Sequence, residues 1–270
     1  MKRSVSIISF ILYAVTANAG ELTLAGPLTQ GGLVLGTTTP GTTLALDGKP
    51  VRVSDDGLFV LGFGREAAPE AVVRATFPDG STDVRRLSVA KREFEIQRID
   101  GLPSRKVTPT APEDLERIRT DREQITAVRD HEGTVPYFAS GFMRPVEGRI
   151  SGVFGSQRIL NGKPKSPHNG LDIAAPKGTP VKAAADGTVA LTHENMFYTG
   201  KTVMLDHGHG LTSVYVHMDS ILVEPGQIVT KGTPIGTVGM TGRATGPHLH
   251  WGVTWFDTHL DPALLTGDAS

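Results

Sequence analysis

The stretch GPHLHWGV, at residues 246–253, constrains the fold of this chain more than any other part of its sequence. Successive side chains of a β-strand point to opposite faces, so a strand here has one apolar face and one face that carries two histidines. The apolar face consists of Leu249, Trp251 and Val253, and the opposite face of His248, His250 and Gly252. We expect the apolar face to pack in a core and the two imidazoles to act at one point in space.

A second segment, residues 167–172, carries side chains that complement this strand. His168 and Asp172 lie four residues apart in it, and the Asn-Gly pair between them allows a bend. Zinc in hydrolytic sites takes three protein ligands from histidine and carboxylate side chains and leaves the fourth position for water. His168, Asp172 and His250 are therefore candidate metal ligands. Each motif alone is common, and their combination in one β-rich region favours the metal site.

The distribution of histidines directs attention to the same region. Eight of the nine follow residue 142, and only His131 does not. His248 shares a face with His250 and would lie beside the metal ion rather than bind it. In the sequence YVHM, strand alternation places Tyr215 and His217 on one face, so His217 would face the same cleft from a neighbouring strand. We expect the remaining histidines of this region to be structural or solvent-exposed: His193, His207, His209 and His259.

Composition excludes several classes of protein. The chain of 270 residues contains no cysteine, so it has neither disulfides nor thiolate ligands for a metal. Without Lys2 and Arg3, 25 basic residues face 28 acidic ones, a balance that gives no support to nucleic-acid binding. The length suits one large or two modest domains with a real hydrophobic core.

The first 19 residues are typical of an export signal. Lys2-Arg3 is followed by an apolar run from Val5 to Val15 and by the small residues Ala17-Asn18-Ala19. The run is too short to span a bilayer, and no later run is long enough to anchor the chain. We therefore predict a signal peptide at residues 1–19, a mature chain that begins near Gly20, and a periplasmic or secreted location.

Residues 20–103 have the pattern of a small antiparallel β-sandwich. Short apolar or alternating stretches are separated by three Asp-Gly pairs, at 47–48, 56–57 and 79–80, which predict hairpin turns. The predicted strands lie at residues 44–46, 51–53, 58–61, 72–76 and 94–96. No cluster of chemically reactive side chains appears here, and a spacer or shielding module is the simplest interpretation.

Residues 104–135 predict a linker that contains a helix at about residues 112–130. Thr110 with Glu113 has the spacing of a capping box, and Pro112 falls in the first turn. A narrow apolar stripe is formed by Leu115, Ile118, Ile125 and Val128. We expect the charged faces of this helix to be solvated. A further hypothesis is that the sandwich and the helix cover the cleft and restrain its activity until they are displaced.

Residues 136–270 predict a second domain that is almost entirely antiparallel β, which makes the whole chain mainly β. The sequence Lys-Gly-Thr-Pro occurs twice, at 177–180 and 231–234, and each copy is followed by Gly-Thr-Val. Two copies are too few for a solenoid and indicate related corners of one small domain. Between them, DHGHG at 206–210 predicts the tip of a hairpin.

Residues 142–265 resemble the lysostaphin/LytM-type zinc endopeptidases, which cut peptides of peptidoglycan. The resemblance depends on three motifs in the family's order: HNGLD at 168–172, YVHM at 215–218 and TGPHLHWG at 245–252. It implies an antiparallel β peptidase fold with Zn²⁺ as cofactor and peptidoglycan stem peptides or cross-bridges as substrate. By the same resemblance His168, Asp172 and His250 would bind zinc, and His217 and His248 would be unligated catalytic residues.

Some alternatives stay open. The family includes relatives that only activate other hydrolases, so a non-catalytic activator of a cell-wall amidase is the second hypothesis. The intact five-residue set argues against it. A carrier-like β-domain would present a lysine at a hairpin tip, and residues 206–210 contain none. A D-alanine to diaminopimelate cross-link is the favoured substrate over a polyglycine bridge, and either His217 or His248 can be the general base.

Overall fold

The structure is a computed structural model that describes residues 20–267. The signal peptide predicted at residues 1–19 lies outside the described residues. Strands make up 43% of the chain and helices 12%, so the prediction of a mainly β protein is confirmed. No helix within residues 20–267 is both long enough and apolar enough to cross a membrane.

The elements follow one another with a single long helix between two β-rich parts. The first part contains β1 Leu22–Ala25, β2 Leu33–Thr38, β3 Thr43–Leu46, β4 Lys49–Val51, β5 Leu58–Gly62, β6 Glu70–Thr76, β7 Thr82–Ser88 and β8 Ile96–Ile99. The helical part contains α1 Ser104–Val107, α2 Pro112–Arg129 and a 3₁₀ turn Tyr137–Ser140. The second part contains β9 Arg149–Gly152, β10 Gln157–Leu160, β11 Lys163–Pro164, β12 Leu171–Ala174, β13 Pro180–Lys182, β14 Gly187–Met196, β15 Gly200–Asp206, β16 Leu211–Ile221, β17 Ile228–Val229, β18 Pro234–Val238, β19 His248–Trp255, β20 Thr258–Leu260 and α3 Ala263–Thr266.

The N-terminal part is built from two antiparallel sheets, ordered β1-β2-β5 and β4-β3-β6-β7. Their facing side chains, which include Phe59, Leu61 and Val73, form one buried cluster. Asp47 and Gly48 both have positive φ and join β3 to β4 in the expected hairpin. Gly80 likewise turns the chain between β6 and β7.

Three local predictions for this part are wrong. The strand expected at 51–53 lies instead at Lys49–Val51. The turn at residues 56–57 is not a hairpin, because it carries the chain from β4 in one sheet to β5 in the other. The strand expected at 94–96 begins at Ile96 and pairs in parallel with β10 of the second β-rich part. Three further strands were not expected: β1, β2 and β7. The seven-residue β7 contains Arg85 and Arg86 and has little apolar alternation to reveal it.

Helix α2 confirms the predicted helix, but its cap and its buried face differ. Ala111 is the N-cap residue and no side chain caps the helix, so the expected role of Thr110 is wrong. Asp114 and Asp121 are buried, whereas Leu115 is 50% exposed. The charged residues are therefore not all solvated, because two carboxylates face neighbouring segments rather than water.

Those buried carboxylates and nearby basic side chains attach α1 and α2 to the second part of the chain. Asp121 accepts a hydrogen bond from the Phe197 amide at 2.6 Å, and Asp114 pairs with Arg105. Lys106 donates to the carbonyl of Phe197, and Arg243 donates to the carbonyl of Lys106. The helix consequently lies fixed beside strands β14 and β16.

The second part is a ten-stranded sheet whose main path is β17-β14-β15-β16-β19-β12-β9. Strand β19 lies between β16 and β12, and its Leu249, Trp251 and Val253 are fully buried, as the alternation predicts. The two Lys-Gly-Thr-Pro corners lead into β13 and β18, which pair with each other. Each corner turns at a glycine with positive φ.

Candidate metal centre and active site

Sheet register brings the three candidate ligands together. Asp172 on β12 lies directly opposite His250 on β19, so both side chains project from the same face. His250 Nδ1 is 2.7 Å from Asp172 Oδ1, and His168 Nε2 is 2.9 Å from His250 Nδ1. His168 Nε2 is also 3.0 Å from Asp172 Oδ1. Three donor atoms from segments about eighty positions apart thus converge.

Neighbouring groups fix the orientation of these donors. His168 Nδ1 lies 2.9 Å from the carbonyl oxygen of Val153. A carbonyl only accepts hydrogen bonds, so Nδ1 carries the proton and the Nε2 lone pair is free to bind a metal. Arg158 pairs with Oδ2 of Asp172, which leaves Oδ1 directed at the two histidines.

The charge states of the cluster fit a divalent cation. Burial raises the pKa of the Asp172 carboxyl, but the adjoining side chains of His168 and His250 outweigh this effect and hold that pKa well below its usual range. Burial lowers the pKa of His250 to about 4, against the opposing effect of Asp172. An ionised carboxylate and neutral imidazoles are the forms that bind zinc. Among residues 20–267, this is the one group of three such side chains with mutually adjacent donor atoms.

Gly170 permits this approach for a reason that differs from the expected bend. Its φ is not positive. A Cβ atom there would lie 2.4 Å from the carbonyl oxygen of Trp251 and 2.9 Å from Nε2 of His250. The absence of a side chain at Gly170 therefore lets the ring of His250 lie against the chain that leads to Asp172.

The two candidate catalytic histidines lie beside the cluster. The ring centroids of His217 and His248 are 4.8 Å apart, and those of His217 and His250 are 6.4 Å apart. Nδ1 of His217 is 2.8 Å from the carbonyl of Thr241, and Nδ1 of His248 is 2.8 Å from that of Gly246. Each Nδ1 therefore donates a hydrogen bond, and each ring keeps Nε2 as its free nitrogen.

His217 reaches the cleft through a β-bulge, and the predicted alternation is wrong here. Tyr215 lies opposite Trp251 in the register and is buried in the core. The pairing of β15 with β16 shifts between Tyr215 and Met218, and His217 has a φ of 62°. The extra residue turns His217 away from the face of Tyr215 and into the cleft with His250.

The other histidines of this half have mostly structural positions. His207 and His209 are fully buried rather than exposed at the hairpin tip. His207 Nδ1 is 2.6 Å from the carbonyl of Asp186 and its Nε2 is 2.7 Å from the hydroxyl of Ser213, and burial lowers its pKa to about 4. His193 receives a hydrogen bond from the amide of Asn195. His259 lines the cleft, where its Nε2 lies 3.2 Å from the amide of Asn169.

The cleft over the cluster also contains groups that the sequence did not indicate. A cavity of about 400 Å³ lies between the histidines and helix α2, and a second of about 360 Å³ adjoins it at His217 and Arg158. Ile125 and Arg129 of α2 form one wall of the first cavity. Arg243 lines both cavities. No local motif marks these side chains, because long-range packing alone brings them to the site.

Comparison with known proteins gives a consistent result. A family model described as peptidase family M23 matches residues 166–262, a range that contains all five candidate residues. The chain is 38% identical over 168 residues to the peptidoglycan DD-endopeptidase ShyA of Vibrio cholerae, an alignment that covers 58% of this chain and 39% of that protein. It is 40% identical over 124 residues to the DD-carboxypeptidase/endopeptidase Mpg of Neisseria meningitidis, over 45% of this chain and 28% of that one. The chain thus spans well under half the length of these relatives.

A solved structure extends the similarity beyond the peptidase half. The crystal structure of a putative peptidase M23 from Pseudomonas aeruginosa aligns with 89% of this chain and 96% of its own, with 32% identity and a TM-score of 0.69. An alignment of that extent reaches well beyond residues 166–262. Because both the motif region and nearly the whole fold are matched, the chain belongs to peptidase family M23.

Proposed function

We propose that this protein is an exported, zinc-dependent endopeptidase that hydrolyses peptide cross-links of peptidoglycan. The observation that carries the proposal is the convergence of three donor atoms within 3.0 Å of one another on the floor of a cleft. Two further histidines with free Nε2 atoms stand beside them. Relatives named as peptidoglycan DD-endopeptidases support the same reaction.

Each of the five residues has a chemical task in this proposal. His168, Asp172 and His250 would hold the metal ion, with donors of the type that zinc takes in hydrolytic sites. Bound zinc would lower the pKa of a coordinated water and polarise the scissile carbonyl. Arg158 keeps the ligand carboxylate oriented through Oδ2.

His217 and His248 would transfer the protons in this reaction. A neutral imidazole whose Nδ1 donates to a carbonyl accepts a proton at Nε2 and can later deliver it to the leaving amine. His217 and His248 are both held in this way, so each is suited to act as the base or as a donor to the developing oxyanion. A closed structural metal site has no use for two such residues, which favours an enzyme over a non-catalytic activator.

Digestion of purified sacculi followed by mass spectrometry of the muropeptides tests this function. We expect cleavage of the D-alanine to diaminopimelate cross-link, loss of cleavage with EDTA, and loss in His248→Ala. His193→Ala is the matched control, because His193 lies outside the cleft, and it should cleave as the parent does. Cleavage that appears only after an amidase is added would instead favour the activator hypothesis.

A further inference from the structure

The cleft around the candidate metal centre is strongly cationic. Its two cavities are lined by five basic side chains and by one carboxylate: Arg129, Arg149, Arg158, Lys165 and Arg243 against Asp172. The whole chain has a net charge of −1, so this excess is local. Asp172 is already paired with Arg158. The other basic side chains leave the cleft with a positive field that favours an anionic ligand.

Among these basic side chains, Arg129 gives the clearest indication of an anionic ligand. It lies in the last turn of α2 and lines the cavity together with His259 and His250. Its Nε is buried without a hydrogen-bond partner, and within residues 20–267 its guanidinium forms no ion pair. No carboxylate among residues 20–267 forms an ion pair with this guanidinium, so a carboxylate in the cavity can accept hydrogen bonds from its terminal N–H groups.

Arg243 is a second arginine of this cleft, and two contacts hold its guanidinium in place. Its guanidinium stacks 4.4 Å above the ring centre of Tyr198, and its Nη1 donates to the carbonyl of Lys106 at 3.3 Å. These contacts fix the plane of the group but use few of its five N–H donors. In the described part of the chain no carboxylate pairs with it. It lies where the two cavities meet, beside His217.

We propose that the cleft selects peptides that carry a free carboxylate close to the scissile bond, and that Arg129 and Arg243 bind this carboxylate. The inference rests on the proposed function and names the substrate class of the same site. Guanidinium groups bind carboxylates through paired hydrogen bonds, which gives geometric selectivity as well as charge attraction. A diaminopimelate residue that supplies the scissile amide nitrogen carries a carboxylate on the same carbon. A polyglycine bridge has none there, so the two arginines favour the former substrate.

This assignment makes helix α2 a wall of the substrate site and not a linker alone. Asp121 attaches α2 to the amide of Phe197, and Arg129 follows two turns later on the same helix. The segment that the family model matches begins at residue 166, so this wall is a feature outside the matched region. Substrate selection would then depend on both parts of the chain.

The test uses the zinc-loaded full chain and two synthetic cross-linked dimers that differ in one group. In one dimer the carboxylate next to the scissile amide is free, and in the other it is amidated. We expect the free acid to have a kcat/KM at least about tenfold higher. Arg129→Gln and Arg243→Gln should each raise KM for the free acid about tenfold with little change in kcat, and leave the amidated dimer nearly unaffected.

Controls separate recognition from folding and from catalysis. Arg122→Gln changes an exposed arginine of the same helix and should keep the parent's preference, and circular dichroism should be unchanged in all variants. Binding of both labelled dimers to the His248→Ala protein gives a readout without turnover. Equal rates for the two dimers, or equal losses for both in Arg129→Gln and Arg243→Gln, would overturn the inference while the endopeptidase function stands. Selective binding of the free acid without any cleavage would overturn the function and leave the recognition intact.

Discussion

At the scale of single residues, the metal centre depends on a position that has no side chain. Gly170→Ala would place a methyl group 2.4 Å from the carbonyl oxygen of Trp251 and 2.9 Å from the ring of His250. Neither neighbour can move freely, since one is strand backbone and the other a proposed ligand. We expect zinc affinity to fall at least about tenfold, as when groups that orient a ligand are disturbed. Competition titration with a chromogenic chelator measures this directly.

Gly64→Ala is the matched control for that substitution. An added Cβ there would lie 3.3 Å from the methyl group of Thr258 and 4.0 Å from the carbonyl oxygen of His259, and the φ of Gly64 is not positive. We expect zinc affinity and thermal stability close to those of the parent. Parent-like zinc affinity in Gly170→Ala would show that the close contact does not position His250.

His207 gives the stability of the protein a defined pH dependence. Its pKa is about 4 in the folded state, against 6.5 for an ordinary histidine. Below pH 6.5 the unfolded chain takes up a proton that the folded ring refuses until about pH 4, so stability is lost as the pH falls through this window. This difference in pKa corresponds to a loss of about 3 kcal/mol in the free energy of unfolding when the pH is well below 4. Only part of that loss has occurred at pH 4.5.

Urea denaturation at pH 7.5 and pH 4.5 tests this effect. The free energy of unfolding of His207→Gln should depend less steeply on pH than that of the parent. His193→Gln removes a histidine that is not fully buried and should retain the parent's slope. An unchanged slope in His207→Gln would mean that His207 is protonated equally in both states.

The candidate site could be predicted from the sequence only as far as local pattern reaches. Alternation along residues 248–253 is enough to separate His248 and His250 from the core face, and Asp172 could be proposed from its spacing to His168. The register that places Asp172 opposite His250 could not be predicted. The bulge at His217 has no sequence signal in a single chain, since it depends on how β15 and β16 align. Arg129 could not be placed either, because its role depends on the docking of a distant helix.

At the scale of elements, α2 is either a fixed wall that binds substrate or a lid that holds the cleft closed, and one variant distinguishes the two roles. Asp121→Ala removes the carboxylate that accepts a hydrogen bond from the Phe197 amide, and so loosens α2 from the turn between β14 and β15. If α2 is a wall that carries Arg129, we expect KM for the free-acid dimer to rise several-fold and kcat to change little. Steady-state kinetics on the synthetic dimers provides the measurement.

The restraint hypothesis predicts the opposite outcome for the same variant. A helix that holds the cleft closed would release it in Asp121→Ala, and activity on sacculi would increase. Arg122→Ala is the control, because Arg122 is exposed on the same helix and should behave as the parent. Higher activity in Asp121→Ala would therefore mean that α2 restrains the cleft and is not a wall that binds substrate.

A helix, strand or turn could be predicted from the sequence when the residues that determine it lie close together in the chain. Helix α2 has a proline in its first turn and helix-forming residues throughout, so its bounds could be foreseen. The Asp-Gly turns were foreseen as turns, but residues 56–57 lead from one sheet to the other, and no local pattern tells a sheet change from a hairpin. The burial of Asp114 and Asp121 was missed because their partners lie outside α2, Arg105 in α1 and Phe197 in the turn after β14.

At the scale of the whole molecule, the two β-rich parts share a core. Strand β5 directs Phe59 and Leu61 into the N-terminal cluster and Val60 into the cluster of the peptidase half. A Cβ atom at Gly62, the last residue of β5, would lie 2.9 Å from Cβ of Trp255 and 3.1 Å from Cδ2 of Leu260. The division at residues 103 and 136 stays a prediction, but these contacts indicate that the parts unfold together.

Val60→Ala tests this coupling. Removal of two buried methyl groups from the shared cluster should destabilise the protein by about 2 kcal/mol. We expect one calorimetric transition in the parent and one, at lower temperature, in the variant. Val84→Ala, at an exposed position of β7, should leave the transition unchanged. Two separate transitions, with only one of them shifted, would contradict a shared core.

The account depends most on a single metal ion at the cluster of His168, Asp172 and His250. Diffraction data collected at the zinc absorption edge from crystals of the zinc-saturated protein test this most directly. We expect one strong anomalous peak about 2.0–2.2 Å from Nε2 of His168, Nδ1 of His250 and Oδ1 of Asp172. A zinc-saturated crystal with no peak there, or with its zinc held by other residues, would contradict the account.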